Sequence, residues 1–259
     1  MRFLVLITAT LAQAATLDKS GDDCAPRKRG AAYNDASLVS VLTSTNSVSW
    51  AYNWALTSDG NLPGDVEFVP MVWDDAFLGE ESFSQAIAAA VGTGSTHLLG
   101  FNEPDVVGQA NMTASHAALQ YRTYLTPFQT QLKLVSPAVT NSVLDSEGLG
   151  WMRSFLQLCE ECAIGALAVH WYGDSVADFR NYVNQAQELA AQHGIPEIWI
   201  TEFALASPID EEMSINFLSD ILPWLDLQCG VQRYAYFMVE EGRLINDDQL
   251  SPIGKTYVS

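Results

Sequence analysis

Residues Ala166–Glu202 read ALAVHWYGDSVADFRNYVNQAQELAAQHGIPEIWITE, and this stretch decides the fold. An apolar run, Ala166–Trp171, gives way to a pattern of helical period over Ser175–His193. Gly194-Ile195-Pro196 stops that helix, with Gly where a left-handed residue commonly ends one. A second apolar run, Glu197–Thr201, follows at once. Strand, helix and strand in so short a span make a parallel βαβ unit.

The same unit recurs on both sides. Runs rich in β-branched and aromatic residues stand at Gly30–Tyr33, Ser49–Trp54, Glu67–Trp73, His97–Asn102, Lys133–Ala138 and Arg233–Val239. Helical patterns fall at Glu81–Val91, Thr113–Gln131, Gly148–Glu160 and Asp210–Leu227. Eight strands alternating with helices predict an α/β chain folded as a single (β/α)8 TIM barrel. An open doubly wound sheet would place a glycine-rich phosphate turn after the first strand; Gly30-Ala31-Ala32-Tyr33-Asn34 is not one. The expected organisation is a signal peptide over 1–14, a leader or N-terminal arm over 15–29, and the barrel over 30–259.

Composition bounds the partners. A chain of 259 residues that is 48% hydrophobic buries a large core, which excludes disorder. Twelve basic residues against 31 acidic ones, a net charge of −19, argue against nucleic acid and against an anionic membrane. Arg2, the apolar run Phe3–Leu11 and Ala12-Gln13-Ala14 have the form of a secretory signal; the run is about half the ~20 residues of a membrane span. The expected destination is extracellular or the cell wall. Arg27-Lys28-Arg29 has two readings: a processing site before Gly30, or a solvated charge cluster.

Cys24, Cys159, Cys162 and Cys229 allow three disulfide pairings. Cys159 and Cys162 have CxxC spacing, but no second pair and no nearby His completes a zinc site, so a structural role is expected. Loss of the leader would remove Cys24 and leave one thiol unpaired. No metal or organic cofactor is expected, and a monomer is the default.

Barrels of this kind carry their chemistry at the C-terminal ends of the strands. The fourth run, Leu98-Leu99-Gly100-Phe101, ends in Asn102-Glu103-Pro104-Asp105, and the seventh ends in Glu202. Two carboxyls over one aromatic-lined cavity meet the requirement of glycoside hydrolysis. One protonates the leaving oxygen; the other attacks or stabilises the oxocarbenium-like centre. Trp50, Tyr52 and Trp54 share a face at period two. Trp50 reads as barrel filling, whereas Tyr52 and Trp54 are expected to stack on sugar rings. His170, Trp171 and Tyr172 are expected to bind substrate at the cavity; the alternatives are a core histidine at 170 and a Trp171 that points away. Phe203, Trp73 and Phe237 are candidate subsite walls or, equally, core residues, and Asp105 either orients the Glu103 loop or caps the segment after Pro104. Asn111-Met112-Thr113 is the one N-glycosylation sequon.

The strings Ser49–Trp54, Leu99–Asp105, His170–Gly173 and Ile200–Phe203 resemble glycoside hydrolase family 128, over a span from about Arg29 to about Ile253. The resemblance implies a compact (β/α)8 enzyme that cleaves internal β-1,3-glucosidic bonds of β-glucan with retention and without a cofactor. It implies Glu103 as acid/base, Glu202 as nucleophile and Asn102 on the 2-hydroxyl of the −1 sugar. The two carboxyls should then stand ~5–5.5 Å apart. A rival reading is a cell-wall protein that binds β-glucan on the same fold without cutting it.

Overall fold

The computed structural model describes residue 24, residues 27–206 and residues 210–259. The expected signal peptide and most of the expected leader lie outside the described residues. Eight strands form one parallel sheet: β1 (Arg29–Ala32), β2 (Val48–Tyr52), β3 (Glu67–Phe68), β4 (His97–Leu98), β5 (Lys133–Val139), β6 (Ile164–Gly173), β7 (Glu197–Leu205) and β8 (Val231–Tyr236). Their order is β3-β2-β1-β8-β7-β6-β5-β4, which is the circular order of a barrel opened between β3 and β4. Leu99 N donates to Pro70 O at 2.9 Å and Val72 N to Leu99 O at 3.0 Å, so backbone bonds close that seam as well. The eight runs read from the sequence are the eight strands, and the (β/α)8 barrel stands.

Among the described residues seven helices cover the outside: α1 (Ala36–Leu42), α2 (Glu81–Gly92), α3 (Ala114–Gln120), α4 (Gly148–Leu158), α5 (Val176–Gln192), α6 (Glu211–Leu227) and α7 (Pro252–Val258). The helix expected over Thr113–Gln131 is shorter. After α3 the chain widens into a π-turn at Tyr121–Leu125 and tightens into a 3₁₀ turn at Thr126–Phe128. Pro127 lies in that turn and has no N–H to give an α-helical ladder. The periodicity does not announce α1 and α7, which have seven residues each, nor the small hairpin of β9 (Ile245–Asn246) and β10 (Gln249–Leu250).

Two apolar layers hold the barrel. The inner one stacks Trp50, Tyr52 and Trp199 against alanines at 32, 138, 166, 168 and 235. Large rings on two strands thus meet small residues on the others, which fills the lumen. Gly30 is required here: a Cβ would stand 2.2 Å from the Trp50 ring. The outer layer packs Leu167, Val169, Trp171, Ile198, Ile200 and Phe203 against the helices.

The basic trio before the barrel is not a solvated cluster. Lys28 is 3% exposed, and its ammonium donates to the carbonyls of Leu225, Asp226 and Gln228 at 2.8–3.1 Å, capping the C-terminus of α6. Arg29 reaches Tyr234, Asp226 and the carbonyls of Tyr257 and Ser259, and Arg27 bonds Val48 O. Cys24 is joined to Cys229 and Cys159 to Cys162.

Candidate active site

β2 shows how period two builds the site in layers. Trp50 lies lowest, its Nε1 donating to Lys28 O at 3.0 Å. Tyr52 lies above it, fully buried, and Trp54 lies above Tyr52 with ring centroids 5.1 Å apart. Trp54 has left-handed backbone (φ +57°), which turns the chain and leaves its indole over the cavity.

Glu202 reaches the lumen because of a β-bulge. Trp199 faces inward and Ile198 and Ile200 face outward, so plain alternation would turn residue 202 toward the helices. Instead Val169 of β6 pairs with Ile200 and His170 with Glu202, leaving Thr201 as an extra residue. Against β8 the same stretch takes three steps, Ile200 to Phe203, while the partner takes two, Tyr234 to Tyr236. The bulge reverses the phase and aims Glu202 inward and Phe203 outward. Glu103 is re-aimed differently, by left-handed backbone at φ +41° held by its N–H donating to Ala138 O at 2.8 Å. Asp105 fixes this loop to the next one, accepting from Thr140 N, Thr140 Oγ1 (2.6 Å) and Gly148 N (2.8 Å).

The two glutamates meet over His170. Imidazole Nδ1 lies 2.8 Å from Glu103 Oε1, and Nε2 lies 3.5 Å from Glu202 Oε1. One ligand atom from each of the three residues falls within 4.8 Å of the others. His170 is wholly buried. Burial pulls its pKa down, but the Glu202 charge and the hydrogen bond and charge of Glu103 outweigh it and raise the imidazole above its ordinary value. Glu202 also accepts from Trp54 Nε1 at 2.7 Å and from the Tyr172 hydroxyl in a short bond. Tyr52 OH lies 3.4 Å away and donates chiefly to Thr201 O. Burial, and then the Glu202 charge, push both phenols well above the ordinary value, so both stay donors.

The cleft above this cluster has a volume of about 480 Å³; Trp54, Trp73, Tyr172 and Phe237 give it aromatic walls, and Asn34, Asn102, Gln109 and the two glutamates give it polar ones. Phe237 meets Trp54 and Tyr172 edge-on, at 5.8 and 5.6 Å. Asn102 donates to Gln109 Oε1 at 3.2 Å, while its own Oδ1 is buried without a partner among the described residues.

Of the residues expected at the cavity, Asn102, Glu103, Tyr172, Glu202 and Trp54 line it, as do the candidate walls Trp73 and Phe237. His170 lies beneath it. Three others do not reach it. Tyr52 is covered by Trp54 and serves the carboxylate, not a sugar ring. Trp171 stacks on Phe217 in the outer layer, because it follows His170 on the opposite face of β6. Phe203 packs against Phe179, thrown outward by the bulge. Gln109, Asn34 and Met238 were missed; Gln109 lies in a loop without periodicity, and only its closeness to Asn102 could have pointed to it.

The chain resembles solved glycosidase barrels along most of its length. A curdlan-specific exo-β-1,3-glucanase of glycoside hydrolase family 128, subgroup III, from Blastomyces gilchristii is 42% identical, with TM-score 0.83 over 89% of this chain and 97% of that one. An endo-β-1,3-glucanase of subgroup II from Sorangium cellulosum is 29% identical, with TM-score 0.74 over 90% and 98%. Alkali-sensitive linkage protein 1 of Schizosaccharomyces pombe is 31% identical over 231 residues, 82% of this chain; the match spans 40% of that relative's length. The model of the glycosyl hydrolase catalytic core matches residues 30–257. With its paired glutamates at the ends of β4 and β7, the chain belongs to the glycosyl hydrolase catalytic core family and is a barrel of the family 128 type.

Proposed function

We propose that the chain hydrolyses β-1,3-glucosidic bonds of β-glucan by double displacement. The observation that carries this is the closeness of the carboxylates, with oxygens of Glu103 and Glu202 within 4.8 Å of each other. That distance suits a retaining pair at ~5–5.5 Å; an inverting pair needs ~6.5–9.5 Å to admit a water between carboxyl and sugar. The substrate follows from the relatives, which are β-1,3-glucanases at 42% and 29% identity.

Glu202 is the nucleophile in this reading. Two donors, Trp54 Nε1 and the Tyr172 hydroxyl, bond its oxygens and hold the carboxylate beneath the cleft. Glu103 is the acid/base. It gives its proton to the leaving oxygen as Glu202 Oε bonds to the anomeric carbon, then takes a proton from the water that releases the sugar. His170 lies between the two, Nδ1 toward Glu103 and Nε2 toward Glu202, and fixes their spacing. The orphaned Asn102 Oδ1 is the acceptor for the 2-hydroxyl of the −1 sugar, a bond that strengthens as charge develops on the ring.

The mature chain proposed here starts after Ala14, keeps Cys24 and works outside the cell as a monomer. Two disulfides support an oxidising compartment. Among the described residues no helix is long and apolar enough to cross a membrane.

The test is reducing-end release from a soluble β-1,3-glucan beside Glu103→Gln and Glu202→Gln. Turnover by the wild type, abolished in both variants, supports the reading; glucan binding without turnover moves the assignment to a wall-binding protein. Product lengths assign the mode. A ladder of oligosaccharides means endo action, the mode expected from the sequence and that of the relative at 29% identity. A single short product means exo action, the second reading, favoured by the relative at 42% identity.

A further inference from the structure

We propose that Asn111 carries an N-linked glycan whose stem stands on the rim of the catalytic cleft and restricts the entry of long polysaccharide. The proposal rests on the export reading above, because attachment needs a secretory route. Asn111-Met112-Thr113 is the one sequon in the chain. The Asn111 side chain is exposed and makes no hydrogen bond among the described residues, while its backbone is left-handed at φ +48°, a conformation Asn tolerates.

The position is fixed relative to the cleft. Gln109, two residues earlier, lines it and bonds Asn102. Two residues span at most about 7 Å of chain, so the Asn111 backbone stands beside that wall. The loop is also pinned on both sides of Asn111. Ala110 N donates to Asn102 O at 3.1 Å, Met112 N to Pro104 O at 2.8 Å, and Trp151 Nε1 to Met112 O at 2.9 Å. Met112 is buried, and Thr113 caps α3 through its hydroxyl. A glycan rooted there is held at the rim and cannot swing away with the loop.

The experiment uses the full chain secreted from a eukaryotic host, measured by intact mass before and after treatment with a peptide-N-glycosidase. The control is Asn111→Asp, which tolerates the same backbone and is the residue that enzyme leaves behind. The expected result is a loss of mass on treatment that Asn111→Asp does not show. Treated protein and Asn111→Asp should both cut insoluble β-1,3-glucan several-fold faster than the glycosylated form, with equal rates on a short soluble oligosaccharide. Co-sedimentation with the insoluble polymer gives the same readout without turnover. No mass loss overturns the attachment, independently of whether the chain is a glucanase. Mass loss with unchanged cutting of, and binding to, the polymer overturns the restriction.

Discussion

The two ends of the barrel each hold a histidine among carboxylates, and they are wired in opposite ways. At the N-terminal end, Glu67 takes Arg233 at 2.5 Å, the Thr96 N–H and hydroxyl at 2.8 and 2.6 Å, and His97 at 3.4 Å. The Arg233 guanidinium lies over the Trp199 and Trp50 rings at 4.5 and 5.6 Å. Burial alone would raise the Glu67 carboxyl, but the His97 bond, the Arg233 charge and the Thr96 bonds bring it down to about 2. His97 is lowered, first by burial. At the C-terminal end, His170 faces two glutamates, with no arginine ion-paired to either among the described residues, and is raised. One end pairs its carboxylate with an arginine and closes; the other leaves two glutamates, with a histidine between them, facing an open cleft. The first is what a stable floor requires, and the second is what a reaction on a sugar requires.

The sharpest way to break this comparison is to neutralise one carboxylate at each end. Glu202→Gln should lose at least about 10³-fold in turnover while its melting temperature holds or rises, since the carboxylate serves the reaction and not the fold. Glu67→Gln should do the reverse, losing about 3 kcal/mol of stability by stranding Arg233, with turnover per folded molecule unchanged. Thermal melts and rates measured on both variants decide it; a Glu67→Gln protein that is stable but inactive would merge the two ends into one site.

A smaller effect tests the support of Glu202. Trp54→Phe keeps a ring on Tyr52 and removes the 2.7 Å donor, and a hydrogen bond to a charged group is worth about 1.5–3 kcal/mol. Turnover should fall about tenfold to a hundredfold, with a small change in KM. A change confined to KM would make Trp54 only a sugar platform.

The smallest expected effect is on pH-dependent stability, and the two histidines should differ in sign. His170 is raised in the fold, so its stabilisation is complete below the unfolded value of about 6.5 and is lost as pH rises through the native value. His97 is lowered, so its contribution is complete above about 6.5 and is lost as pH falls through its native value. Denaturant melts across this range should flatten above 6.5 in His170→Gln and below 6.5 in His97→Gln. The same change in both variants would mean that the two environments are alike.

Much of this was legible in the sequence, for identifiable reasons. Strand runs and helical periods carry the alternation of a barrel, and Glu103 and Glu202 stand out because polar residues end apolar runs. Period two also placed Trp50, Tyr52 and Trp54 on one face. It could not say which layer meets the sugar, and Tyr52 proves to be covered by the residue two steps above it. The misplacement of Phe203 has one cause: Thr201 is an extra residue, visible only when β7 is set against β6 and β8. Trp171 was misread because a residue beside His170 in sequence faces the other side of the strand. Charge patterning offered a processing site or a solvated cluster at Arg27-Lys28-Arg29, whereas the helix end that Lys28 caps lies about 200 residues away in the chain.

The most direct test of the central claim, that Glu103 and Glu202 work as a retaining pair, is the anomeric configuration of the first-formed product. Proton NMR of a β-1,3-linked oligosaccharide during early hydrolysis reads it before mutarotation. A retaining pair releases the β-anomer first, and the α-anomer grows in later. Initial release of the α-anomer would contradict the claim, because a single displacement by water would then have bypassed Glu202.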